Sequence, residues 1–65
     1  MTYRIRFDFP EQPQPVWTIF LANAPGYTRK SEHAATFETE KAASLILASY
    51  GASNASYGSI EKVPA

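Results

Sequence analysis

The side chains able to act on a substrate are few. His33 is the one imidazole in the chain, and there is no cysteine. Nucleophilic catalysis needs a nucleophile, a base and a group that orients the base. A single histidine inside the polar stretch Arg29-Lys30-Ser31-Glu32-His33 reads as a solvated side chain and not as such a base. Zinc and calcium need clustered His, Cys, Asp or Glu, and the chain offers no such cluster. Glu38 and Glu40 are the nearest approach to a carboxylate pair. The end of an extended stretch and the start of a helix would splay them, and carboxylates there serve to cap the helix and complement its dipole. The glycines at 26, 51 and 58 are too scattered for a phosphate-cradling loop. The expectation is a chain with no catalytic residue, no metal and no cofactor.

Binding chemistry is better represented. Arg4 and Arg6 fall on the same side of an alternating stretch, and Arg29 and Lys30 follow Tyr27. Basic residues interleaved with aromatics on a sheet face can grip single-stranded nucleic acid. Against this, six basic residues are matched by six acidic ones, so the net charge is zero and no bulk field draws the chain to phosphate. A protein surface is the other class of partner. Exposed aromatics and charges outside the core are the side chains such a contact uses, and Tyr27, Arg29, Glu32, Glu38 and Glu40 are the candidates. Local fields steer association even in a neutral molecule. The expectation is a protein partner, with nucleic acid as the alternative, and a monomer or weak dimer.

The elements that position these residues follow from periodicity. Sixty-five residues make one domain, 1–65. Tyr3, Ile5, Phe7 and Phe9 alternate with Thr2, Arg4, Arg6 and Asp8, the period of a half-buried strand. Prolines at 10, 13 and 15 turn residues 10–15 into an extended loop. Val16 to Ala22 is almost continuously apolar, as in a central strand. Asn23-Ala24-Pro25-Gly26 predicts a type II turn, with Gly26 supplying positive φ. Tyr27 to Phe37 then returns as a polar, irregular third strand. Thr39 is a good N-cap, and Ala43, Ile46, Leu47 and Tyr50 form an apolar stripe, so a helix is predicted over 39–50 with Gly51 as its left-handed cap. Residues 52–56 read as loop and 57–63 as a last strand, broken by a bulge or ending near Glu61.

The order ββ(β)αβ predicts an α+β fold. It is a small two-layer sandwich, an antiparallel sheet of three to four strands with one helix across one face. The other face must then be covered by the Pro-rich loop or by a partner, since Val16–Ala22 is apolar on both sides. With no disulfide, the nine aromatics must carry much of the burial. No apolar run approaches membrane-helix length, and Met1 to Arg6 already alternates without a leader-like apolar stretch, so a cytoplasmic setting is expected.

Residues Ala35-Thr36-Phe37-Glu38-Thr39-Glu40-Lys41-Ala42-Ala43 and Ile60-Glu61-Lys62-Val63 resemble the closing half of many tiny ββαβ proteins of phages and prophages. A strand ends on phenylalanine, Ser or Thr caps a helix, and a short strand closes the sheet. Several such proteins are anti-CRISPR inhibitors. The resemblance implies a phage-encoded inhibitor without active site or cofactor. It would cover a surface of a type I CRISPR effector subunit in the bacterial host cytosol. It transfers no site residue, because these inhibitors share no site motif, and the neutral charge of this chain departs from the strongly acidic DNA-mimicking members.

Overall fold

The computed structural model describes residues 2–22 and 24–64. Four strands make one antiparallel sheet: β1 (Thr2–Phe7), β2 (Val16–Leu21), β3 (Ala24–Thr28) and β4 (Gly58–Val63), in the order β3-β2-β1-β4. Between β3 and β4 come a 3-10 turn (Ser31–His33), helix α1 (Glu40–Ala48) and a one-turn helix α2 (Ala52–Ala55). The α+β architecture and the single main helix agree with the periodicity.

Alternation sorts each strand into two faces. On the helix side Ile5 and Phe7 of β1 are fully buried, and Val16 of β2 and Ala43 of α1 complete the core. Tyr3, Phe9, Phe37, Ile46, Leu47, Tyr50 and Ile60 pack around it. Helix α1 starts as its composition dictates: Thr39 is extended, and its hydroxyl accepts from Ala42 N at 3.1 Å. The small Ala43 lets the helix approach β1. Gly58 does the same at β4, where a Cβ would lie 2.5 Å from Leu47 Cδ1 and 3.0 Å from Phe7 Cε1.

Beyond its first pairs the sheet forks. β1 and β2 are joined only by Arg6 opposite Trp17 and Phe7 opposite Val16. Farther along, residues 35–37 sit between them: Ala35 N donates to Thr18 O at 2.9 Å, and Phe37 exchanges both backbone bonds with Tyr3 at 2.7 and 2.8 Å. Phe37 then meets Phe20 ring edge to face, with centroids 6.2 Å apart. The wedge satisfies backbone groups that the parting strands would otherwise leave bare.

Several sequence expectations are corrected. The chain does not turn at Pro25-Gly26: both lie in β3, opposite Phe20 and Ile19, and Gly26 does not have positive φ. The reversal comes earlier, between the paired Leu21 and Ala24, with Ala22 at φ 54°; Asn23 lies outside the described residues. The third strand therefore begins before Tyr27 and ends at Thr28, and residues 31–33 form a 3-10 turn. Residues 52–55 are helical and not loop, because Gly51 at φ 91° and ψ 156° redirects the chain into a new turn and is not an αL cap. β4 has no bulge: its register with β1 is unbroken from Gly58–Phe7 to Val63–Thr2, which puts Ile60 on the core side and Val63 on the other.

Candidate binding site

The sheet face away from the helix carries a closed charge network. Strand register brings Arg4 opposite Glu61 and Arg6 opposite Trp17. Glu61 accepts from Arg4 Nε at 2.7 Å, from Trp17 Nε1 at 2.8 Å and from Arg6 Nη1 at 3.4 Å. Arg6 also donates to Asp8 at 3.2 Å through Nε and Nη2. The Arg4 guanidinium lies 5.3 Å from the indole centroid, a cation–π contact. Trp17 is left only 9% exposed. The arginine stems and the carboxylate thus cover Trp17, whereas Leu21, farther along the same face, stays exposed.

The electrostatics follow from these bonds. Burial by itself would raise the Glu61 pKa, but the bonds from Trp17, Arg4 and Arg6 outweigh it and hold the carboxyl below its ordinary value. Asp8 and then Glu61 push the Arg6 guanidinium up. Two cations and two anions close on one another, so this face presents little net charge.

The second feature lies at the end of the sheet where β1 finishes. Gln12 N donates to Phe9 O at 3.1 Å, closing a turn with Pro10 and Glu11 at its tip. Phe9 stacks parallel to Phe7 with centroids 5.5 Å apart. Tyr27 of β3 meets Phe7, Phe9 and Tyr50 at 5.3, 5.6 and 5.4 Å. The Tyr50 hydroxyl donates to Gly26 O at 2.9 Å, and burial raises the pKa of both phenols. Helix α2 sets the remaining wall: Asn54 Nδ2 donates to Tyr50 O at 3.3 Å, and Tyr57 N to Asn54 O at 3.1 Å. The result is a cleft of about 330 Å³ with aromatic walls from Phe9, Tyr27 and Tyr57 and a polar rim from Glu11, Gln12 and Asn54.

The five residues singled out for a protein contact do not converge. Tyr27 joins the aromatic cleft, and Arg29 is exposed just beyond β3. Glu32 sits exposed in the 3-10 turn. Glu38 and Glu40 flank the start of α1, beside the Phe37–Tyr3 pairing at the opposite end of β1. No hydrogen bond, ion pair or ring contact among the described residues joins any two of the five. The four basic residues are divided as well: Arg4 and Arg6 belong to the charge network, whereas Arg29 and Lys30 follow the opposite edge strand. His33 is exposed.

Sequence reasoning missed Trp17, Glu61, Phe9, Glu11 and Tyr57 as site residues. The Pro10-Glu11 pair after an aromatic was the available turn signal; the meeting of residues 9, 27 and 57 had none. Among the described residues no group of three or more His, Cys, Asp or Glu could hold a metal, and no helix is long and apolar enough to cross a membrane. No protein-family model, curated protein or solved structure matches the chain.

Proposed function

We propose that this chain is a non-enzymatic, cofactor-free protein-binding module. In its specific form it is a phage-encoded inhibitor that covers a surface of a type I CRISPR effector subunit in the host cytosol and blocks DNA interference. The observation that carries the binding reading is the aromatic cleft. Its walls include Tyr27 and Tyr57, exposed by 42% and 44%, held in place by backbone bonds and ring contacts. Rigid, half-exposed tyrosines are the side chains that anchor protein interfaces. What supports the inhibitor form is the resemblance of residues 35–43 and 60–63 to small phage proteins, together with the one-helix α+β layout.

The nucleic-acid alternative loses two of its four cations. Arg4 and Arg6 are engaged by Glu61 and Asp8, and a guanidinium already neutralised gains less from a phosphate.

Pull-down of purified type I effector subunits, paired with gel shifts on single- and double-stranded DNA at low and physiological salt, tests the assignment. Capture of one subunit at physiological salt, with no DNA shift, is expected. Micromolar DNA binding that weakens with salt, without any captured subunit, overturns it.

A further inference from the structure

Three rings and one carboxylate from separate parts of the chain share the cleft: Phe9, Tyr27 and Tyr57, with Glu11. The Tyr27 ring stands at 83° to Phe9 and the Tyr57 ring at 62°, each with its centroid 5.6 Å from that of Phe9. Both are edge-to-face contacts, so Phe9 joins the two tyrosines into one continuous aromatic wall of the cleft. An aromatic face carries the negative end of the ring quadrupole and attracts a cation within about 6 Å of its centroid. Glu11 is exposed and makes no hydrogen bond or ion pair with a described residue. Among the described residues of the lining it is the one ionised group, and none of them is Lys, Arg or His. Ring faces and the Glu11 carboxylate therefore favour a cation, while Gln12 and Asn54 add only neutral polar groups.

Size and rigidity narrow the choice further. A volume of about 330 Å³ is at the lower end of ligand clefts, suited to one extended side chain and not to a large cofactor. The walls are fixed beforehand. The 9–12 turn is closed by its own backbone bond, and Tyr57 hangs from Asn54, whose amide is tied to Tyr50. A ligand entering such a site orders few additional groups.

We propose that this cleft takes a lysine or arginine side chain of a partner protein, its charge over the rings and paired with Glu11. The proposal rests on the protein-binding reading above and specifies the chemistry of its anchor.

The test is titration of the isotope-labelled protein with a glycine-flanked lysine pentapeptide, its arginine counterpart and its norleucine counterpart, followed by amide chemical shifts. The lysine and arginine peptides should shift Phe9, Glu11, Tyr27 and Tyr57, and the norleucine peptide should not. Glu11→Gln removes the charge, and Tyr57→Leu keeps apolar bulk while removing the ring. Both positions are exposed, so a native-like spectrum verifies folding, and each should weaken lysine-peptide binding by about fivefold. Equal binding of the norleucine peptide, unchanged affinity in both variants, or no response to millimolar lysine peptide overturns the proposal. The two readings fail separately. A subunit captured equally well by wild type, Glu11→Gln and Tyr57→Leu sinks the cationic anchor and leaves docking intact. Lysine-peptide binding without any captured subunit supports the anchor and removes the assigned partner.

Discussion

The indole Nε1 of Trp17 donates to Oε1 of Glu61 at 2.8 Å, although β1 lies between the strands that carry them. One carboxylate thereby ties together three strands, because Arg4 and Arg6 of the intervening strand bind it as well.

Glu61→Gln should lower stability by about 1–2 kcal/mol, less than fully buried charged bonds would give because the side chain is partly exposed. The pH dependence has a definite sign. The folded-state pKa of Glu61 lies below its ordinary value, so its contribution is present above the ordinary carboxylate range and is lost as pH falls through the depressed value. Denaturation series from about pH 5 to 3 should show wild type losing stability more steeply than Glu61→Gln. Parallel curves would mean that the network contributes nothing.

Gly58→Ala should destabilise by about 1–3 kcal/mol, since the added methyl would collide with Leu47 Cδ1 and Phe7 Cε1. Leu47→Ala alone should cost about 2 kcal/mol, the lower end for a core leucine because Leu47 is only half-buried. The double variant should cost less than the two together by at least about 0.5 kcal/mol, because the lost leucine methyls make room. Strict additivity in a double-mutant cycle would show that helix and strand do not meet as described.

Ala22→Gly should stabilise the protein by about 0.5–1 kcal/mol. Ala22 has φ 54°, a left-handed conformation that costs a residue with Cβ about 1–2 kcal/mol and glycine almost nothing. Part of that gain is offset by the greater freedom of glycine in the unfolded chain. A fall in the thermal midpoint would contradict the positive φ.

Thr18→Val should be neutral or stabilising by up to about 1 kcal/mol. Thr18 is fully buried; its Oγ1 lies beside the Tyr50 hydroxyl, but that hydroxyl donates to Gly26 O, and Oγ1 itself makes no hydrogen bond among the described residues. Replacing an unpaired hydroxyl by a methyl of the same shape removes a desolvation penalty. A loss above about 1 kcal/mol on chemical denaturation would reveal that the hydroxyl has a partner.

Local signals carried much of this fold. Alternation at Tyr3, Ile5 and Phe7 placed β1, and the Thr39 cap with the stripe through Ala43 and Leu47 placed α1, because each depends on neighbours within a turn or a pleat. The turn at Pro25-Gly26 was misplaced for a related reason. Those residues are strong local turn formers, yet pairing with Ile19 and Phe20 overrides them, while Ala22 takes the left-handed position that nothing in its side chain favours. The forked sheet was not legible, because a wedge at 35–37 depends on where two distant strands diverge. The cleft was not legible either. Tyr27 was recognisable as an aromatic outside the helix stripe, but its neighbours Phe9 and Tyr57 come to it only through the sheet order.

That order also sets the timing of folding. The most extensive ladder in the sheet joins its first and last strands, from Thr2–Val63 to Phe7–Gly58. Closing it brings together segments separated by most of the chain, an entropic cost incurred before any cross-strand contact offsets it. During synthesis β1 must therefore wait, with an open edge and the side chains of Ile5 and Phe7 without their β4 neighbours, until the final strand emerges. A chain cut short before Gly58 would keep that sticky edge permanently, so the last six-residue strand acts as a seal against self-association as much as a part of the core.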